Sequence, residues 1–323
     1  MRFVIIGCGL IGAKRAAAAS GHEIVAVCDP DAERRGRLAQ QTNARAIADW
    51  REAIAVDTDA VLIATPHDQL APIALAAVEA GRHVLVEKPA GRHPADIAPL
   101  LAAAKRHKRI VKVGFNHRFH PAIMRAKKLA DDGAIGPLLF IRGRYGHGGR
   151  IGYETEWRFD KEISGGGELI DQGSHLIDLS RWFLGDLILA YGAVPRYFWP
   201  GQVEDNCFLA LMGAENRMAW LHASWTEWKN QFSLEIMGRD GKLTIDGLGG
   251  SYGTERLTLH RMLPQMGPPE TTSWEFPFPD RSFADEFENF VAAIEGRVAA
   301  IGDIEDAHAN LSIIQAVYDR AQP

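Results

Sequence analysis

A two-domain α/β protein is the fold class the sequence predicts: a parallel sheet flanked by helices, then a domain built on a mostly antiparallel sheet. Three observations point to it. The chain has 323 residues, more than a single core usually serves. Its first third alternates short β-rich runs with Ala-rich stretches of helical length, the pattern of βαβ units. Near Asn116 that rhythm gives way to strands of alternating polarity. The boundary is set at residues 1–118 and 119–323.

The β-rich runs of the first domain are 3–6, 24–28, 60–64, 83–86 and 110–115, and helices are expected near 11–20, 31–41, 68–80 and 94–107. A helix over 121–131 ends at the turn signal Asp132-Gly133. Strands follow at 138–145, 204–212, 217–226, 232–238 and 242–246. Phe232, Leu234 and Ile236 alternate with Ser233 and Glu235, and "GRDGK" at 238–242 reads as a hairpin turn. A helix over 169–184 interrupts the strands, and two more, near 281–295 and 303–319, close the chain. Residues 264–279 are proline-rich and read as an irregular loop.

Composition narrows the function. Hydrophobic residues make up 46% and charged ones 24%, and no apolar run is long enough for a bilayer span. A net charge of −5 offers no broad basic footprint, so no nucleic acid partner is expected. The opening residues lack an export signal, and Cys8, Cys28 and Cys207 are far apart with no C-x-x-C, which fits a reducing cytoplasm.

"VIIGCGLIG" (4–12) places Gly7, Gly9 and Gly12 in G-x-G-x-x-G register after a strand and at a helix start. The first glycine permits a tight turn, the second lets a pyrophosphate approach the backbone, and the third allows close helix–strand packing. The second strand ends in "VCDP". Asp29 can accept hydrogen bonds from ribose hydroxyls and repel a 2′-phosphate, so NAD is expected rather than NADP, with Arg34 and Arg35 close enough to soften the preference. "HVLVEKPAG" (83–91) ends another strand with Glu87, Lys88 and Pro89. Lys88 stands where a cation could stabilise alkoxide charge or could be an ordinary surface lysine, and Pro89 raises the chance of a cis bond.

"SGGGELIDQGSHLID" (164–178) puts Asp171, His175, Asp178 and Trp182 in one sector of a helical wheel, with Leu169, Ile170, Leu176, Ile177, Phe183 and Leu184 opposite. Two readings are open: the wet face of an amphipathic helix, or the wall of a cleft that three glycines allow something bulky to approach. Asp and His at i, i+4 can ligate a metal, but no third and fourth ligands appear, so none is expected.

Together "GCGLIG", "EKP" (87–89), "FNHRFHPA" (115–122), "EWRF" (156–159) and "GGGELIDQGSHLID" (165–178) resemble the Gfo/Idh/MocA family of the glucose–fructose oxidoreductase and inositol dehydrogenase type. The resemblance implies a Rossmann dinucleotide-binding domain, then an α/β domain with an open sheet often used in oligomers, here a homo-dimer or homo-tetramer. It implies that Lys88, Asp171 and His175 are the catalytic group. It implies NAD contacts from Gly7, Gly9, Leu10, Ile11, Gly12, Asp29, Thr65, Pro66, Glu87, Lys88, Asn116 and Arg158. Substrate contacts would come from Lys88, Arg118, Tyr145, Trp157, Asp171 and His175. The family's histidine four residues after "TP" is absent: Leu70 stands there, with His67 nearer the proline.

With an intrinsic pKa near 6.5, His175 can take a proton from a substrate hydroxyl as hydride leaves the adjacent carbon. The implied substrate is a sugar, cyclitol, sugar phosphate or nucleotide sugar. Trp157, Trp220, Trp225 and Trp228 offer either a stacking surface or core. Arg142, Arg144, His147, Arg150 and Arg158 offer either a phosphate site or, with Glu154 and Glu156, a salt-bridged loop. A dehydrogenase leads; an NAD-dependent glycosidase with a redox and elimination cycle, and a non-catalytic NAD-binding regulator, are the alternatives.

Overall fold

The structure, a computed structural model, describes residues 1–265 and 267–321. It divides into two compact units. One comprises Met1–Asn116, Glu162–Gly165 and Phe283–Leu311; the other comprises His117–Lys161, Gly166–Ser282 and the chain from Ser312 onward.

In the first unit β1 (Arg2–Ile6), α1 (Leu10–Ala18), β2 (Glu23–Cys28), α2 (Ala32–Thr42), β3 (Arg45–Ile47), α3 (Trp50–Ala55), β4 (Ala60–Ile63), α4 (His67–Glu79), β5 (His83–Glu87), α5 (Pro94–His107) and β6 (Val111–Gly114) follow one another. The strands form one parallel sheet in the order β3-β2-β1-β4-β5-β6. The order reverses between β1 and β4, the switch point beside which dinucleotides bind in such sheets. Phe3, Val4, Ile5, Val61, Leu62, Ile63, Val84, Leu85 and Val86 are fully buried, as expected of strands covered on both faces. β3 and α3 were not expected: β3 has three residues and buries only Ile47, too little to leave a pattern.

The second unit is built on α6 (Pro121–Asp131), β7 (Leu138–Gly146), β8 (Leu187–Ala193), β9 (Asn206–Gly213), β10 (Met218–Ser224), β11 (Gln231–Gly238), β12 (Gly241–Asp246), β13 (Glu255–Arg261) and β14 (Glu270–Phe276). Its open sheet runs β14-β13-β12-β11-β7-β10-β9-β8, with β7 and β10 parallel and every other neighbouring pair antiparallel. Leu234 and Ile236 point into the core and β11 turns back into β12 at the expected hairpin. The stretch 264–279, expected as irregular, contains β14; it pairs with β13 along its whole length, but as an edge strand it buries none of its residues. Met266, in the same stretch, lies outside the described residues.

Two short turns of helix, α7 (Lys161–Ser164) and the π-helical segment Leu169–Gly173, precede α8 (Ser174–Leu184). Leu176 of α8 comes against Gly143 of β7, where a Cβ would lie 3.1 Å from the leucine methyl. The closing helices are α9 (Ser282–Ile294) and α10 (Ile304–Ala321). Phe287, Phe290 and Val291 of α9 join Phe3, Ile5, Leu62 and Leu85 in the core of the first unit. Among the described residues no helix is long and apolar enough to cross a membrane.

The same helix supplies one end of a buried ion network. Arg15 in α1 is fully buried; its Nε donates to Glu87 Oε1 at 2.6 Å and its Nη1 to Glu286 Oε2 at 2.5 Å. Its guanidinium also lies 4.7 Å from the Phe283 ring centroid. β6 passes so close that a Cβ on Gly114 would come within 2.8 Å of both Arg15 Nη2 and Glu87 Oε2. Burial pushes the Glu87 carboxyl up, and Arg15 pulls against that shift. Removing the guanidinium takes away the charge paired with the fully buried Glu286 and with Glu87. Arg15→Met, which keeps most of the stem, is therefore expected to cost about 3–5 kcal/mol in urea unfolding, against under 1 kcal/mol for a surface arginine such as Arg37→Met.

Candidate active site

The first unit gathers the expected cofactor contacts, all but Arg158, at the carboxyl ends of its strands. Gly7, at φ +96°, is in the left-handed region, and a Cβ there would lie 2.4 Å from the Ala64 carbonyl oxygen. A Cβ on Gly12 would overlap the Gly7 carbonyl oxygen at 1.8 Å, so loop and helix close on one another without side chains. Gly9 differs: a Cβ there would meet nothing within 4 Å. As N-cap of α1 it provides no side-chain hydrogen bond, which leaves the first-turn N–H groups available to an anion. Leu10 beside it is 76% exposed, and Ile11 is half-buried. These are the features of a loop that a pyrophosphate can approach, and the residues fit a dinucleotide.

Asp29 follows β2 and is 8% exposed. Its Oδ2 accepts from Cys8 N at 2.8 Å and its Oδ1 from Asp31 N at 2.9 Å, so the backbone of the glycine loop aims the carboxylate. Arg35 Nη1 donates to the Asp29 carbonyl oxygen at 2.6 Å, while the exposed Arg34 lies 3.6 Å from Asp31. Thr65 and Pro66 follow β4, with Pro66 as N-cap of α4. Lys88 follows β5 directly, is half-buried, and the Lys88–Pro89 bond is cis. Asn116 lies beyond β6, 8% exposed. His67 is buried, with Nδ1 2.8 Å from the Ser164 carbonyl oxygen, and Leu70 is core.

In the second unit Arg158 meets Asp171, Tyr145 meets His175 and Arg118 meets Asp178 along the segment 169–184, while Trp157 lies under the Arg158 guanidinium at 4.8 Å. The face holding Asp171, His175, Asp178 and Trp182 is not wet. His175 is 5% exposed and Asp178 1%, although the opposite apolar face is buried as well. Partners distant in sequence cover it. Asp178 receives both arms of Arg118, Nε to Oδ2 at 2.9 Å and Nη2 to Oδ1 at 2.7 Å, the two-pronged geometry that suits a buried carboxylate. Arg118, expected at the substrate, thus serves a buried ion pair, with Trp182 5.4 Å from its guanidinium. Asp171 has Oδ2 3.3 Å from Arg158 Nε.

The His175 ring is stacked on His117, with centroids 3.6 Å apart and planes at 17°. Tyr145 presents its ring edge-on to His175 at 6.3 Å. Burial, with Tyr252 nearby, pushes the Tyr145 hydroxyl well above the usual phenol range, so it stays protonated. Burial likewise lowers His147, with Asp171 opposing. Neither His117 nor Tyr252 was singled out from the sequence, although "FNHRFHPA" contained the first.

The glycines before α8 make room for the protein itself. A Cβ on Gly166 would lie 1.9 Å from Tyr318 Oη, and one on Gly167 would lie 1.9 Å from the Glu204 carbonyl oxygen. Glu204 Oε1 accepts from Gly167 N at 3.0 Å, Leu169 N at 3.1 Å and Tyr318 Oη at 2.7 Å, fastening the start of the helical segment. The four tryptophans do not form a surface. Trp225 is fully buried with Tyr153, Phe159, Trp199 and Val203, whereas Trp220 is 53% and Trp228 64% exposed. Three of the arginines of 142–158 have carboxylate neighbours, Arg142 with Glu235 at 2.8 Å, Arg150 with Glu156, and Arg158 with Glu156 at 3.2 Å and Asp171, whereas Arg144 has Gln231 beside it. Among the described residues no group of three His, Cys, Asp or Glu could hold a metal ion, and all three cysteines are buried thiols.

A glycine loop at the switch point of such a sheet is that of an NAD-binding oxidoreductase, and comparison with known proteins agrees. Residues 1–115 match the model of an oxidoreductase family with an NAD-binding Rossmann fold, and residues 123–244 match the GFO/IDH/MocA C-terminal domain. The chain is 30% identical over 259 residues to a dTDP-3,4-didehydro-2,6-dideoxy-alpha-D-glucose 3-reductase of Streptomyces violaceoruber, covering 76% of this chain and 72% of that protein. It belongs to the Gfo/Idh/MocA family. A levoglucosan dehydrogenase of Pseudarthrobacter phenanthrenivorans is 39% identical over 142 residues, 43% of this chain but only 36% of the length of that relative. A solved levoglucosan dehydrogenase in complex with NADH shares the fold, with TM-score 0.89 at 23% identity over 99% of this chain and 96% of that one.

The position of Asp29 carries a prediction. Asp29→Asn keeps an acceptor for the loop N–H but removes the charge, and should narrow the preference for NADH over NADPH in fluorescence titrations. An unchanged ratio of the two dissociation constants would assign the preference to another group.

Proposed function

We propose that the protein is an NAD-dependent dehydrogenase of a secondary alcohol in a sugar or cyclitol, with Lys88, Asp171 and His175 as its catalytic residues. The observation that carries the reading is the His175 imidazole, withdrawn from water among aromatic rings and one helical turn from an aspartate that is paired with Arg158. A ring so placed can accept a proton from a substrate hydroxyl without competition from bulk solvent.

NAD, when bound, supplies the hydride acceptor, and Gly7, Gly9, Gly12 and Asp29 are the residues that would hold it. His175 takes the hydroxyl proton as the C–H bond breaks. Lys88, carrying positive charge at the end of β5, stabilises the alkoxide as it forms. Asp171, steadied by Arg158, accepts a hydrogen bond from a neighbouring hydroxyl and so orients the ring. In the reductive direction His175 returns the proton to the ketone oxygen.

The charge pattern supports an uncharged substrate. Arg142 on β7, and Arg150 and Arg158 after it, are each matched with a glutamate or aspartate, which favours a salt-bridged reading of these three arginines over a phosphate site. Relatives named for levoglucosan and inositol fit this choice, whereas the relative named for a dTDP-sugar marks the alternative.

NADH formation across levoglucosan, myo-inositol, methyl glucosides and their phosphorylated counterparts tests the reading. Lys88→Ala and His175→Ala should each lower kcat by about 10²-fold or more while NADH affinity stays nearly intact. Wild-type turnover in both variants would overturn the assignment.

A further inference from the structure

The motif "FNHRFHPA" contains two histidines to which the proposed chemistry gives no role. Both are buried, His117 at 6% and His120 at 2% exposure, and both belong to the second unit. His117 lies in the 3-10 turn Asn116–Phe119, immediately before the Arg118 that fastens Asp178. Its ring faces His175 at van der Waals separation, 3.6 Å between centroids and 17° from parallel.

That ring is itself held. His120 meets it edge-on at 5.5 Å and 78°. His120 Nδ1 lies 3.0 Å from Glu255 Oε2, and the other oxygen of Glu255 accepts from Ala122 N at 2.8 Å. Tyr145 closes another side at 5.3 Å. A buried carboxylate thus fixes His120, His120 abuts the edge of His117, and the face of His117 lies on His175.

We propose that His117 is a positioning residue for His175: the flat ring stacked on the His175 imidazole sets the plane in which that imidazole exchanges its proton. The inference rests on the proposed role of His175 as proton acceptor. The physical argument is orientational. Proton transfer requires a ring nitrogen to point along the donor's O–H direction, and an imidazole with a flat neighbour over its face loses the freedom to tilt out of plane. A π face also tolerates the positive charge that His175 acquires. The stacking therefore asks for a flat ring at position 117.

Two substitutions test that requirement. His117→Phe keeps a flat ring; His117→Leu keeps bulk without one. With NAD and the best-oxidised member of the levoglucosan, myo-inositol and methyl glucoside panel, His117→Leu should lower kcat by about tenfold or more with little change in KM or NADH affinity, and His117→Phe should recover most of the rate. In the protein without substrate, the His175 Cε1–H proton signal in ¹³C-histidine-labelled samples should be shifted upfield by the stacked ring. That shift should persist in His117→Phe and be lost in His117→Leu.

Equal turnover by the leucine and phenylalanine variants, or a His175 signal that moves in neither, would overturn the inference. If the leucine variant does not fold, loss of the upfield shift in the folded phenylalanine variant does the same. His175→Ala is the control for the underlying reading. Wild-type turnover there refutes the role of His175, whereas an inactive His175→Ala beside a fully active His117→Leu refutes the positioning role alone.

Discussion

A guanidinium removed from water has to be balanced where it lies, and Arg15 is balanced by carboxylates 72 and 271 residues away in the chain. Three parts of the first unit depend on that balance. Arg15 is on the helix that follows the glycine loop, Glu87 precedes Lys88 at the end of β5, and Glu286 is on α9 near the end of the chain. The helix that follows the glycine loop and the strand that ends next to Lys88 are therefore held by one group. A network with one more negative than positive charge is costly to bury unless its geometry is good. Here both glutamates lie within 2.6 Å of the guanidinium, and the Phe283 ring covers it.

The second unit solves a similar problem differently. His175 and Asp178 of its polar row on 169–184 are buried and Asp171 half-buried, and each of the three has a partner from an earlier segment: Arg158 for Asp171, His117 for His175, Arg118 for Asp178. Two of these partners are neighbours in "FNHRFHPA". One short motif therefore both anchors the helix, through a buried ion pair, and shapes the environment of its histidine. Removal from water strengthens the electrostatic interactions available to a reacting proton, which is why such a layer suits general acid–base work.

What the sequence made legible follows burial and periodicity. Four of the five longer strands of the first sheet contain uninterrupted apolar runs, β6 being broken by the buried Lys112, and the glycine register with Asp29 named the cofactor. β3, β8, β13 and β14 escaped notice: the first is three residues long, and β14 is an edge strand without a buried residue, so neither writes a pattern. Arg15, inside "GAKRAAAA", looks like any solvated arginine on an Ala-rich helix; only the packing of a segment more than 250 residues later reveals it as buried. The same limit applies to the polar row of 169–184. A helical wheel shows which residues share a face, but not whether water or the rest of the chain meets that face. The glycines before it were read as space for a visitor, and Tyr318 and Glu204 fill the space instead.

The central claim is that this chain transfers hydride between a secondary carbinol carbon and nicotinamide. Isotope tracing addresses it most directly. With a substrate from the sugar and cyclitol panel deuterated at its secondary carbons, mass spectrometry of the reduced nicotinamide should find one deuterium per molecule. Consumption of that substrate with deuterium released to water and none in the nicotinamide would contradict the account.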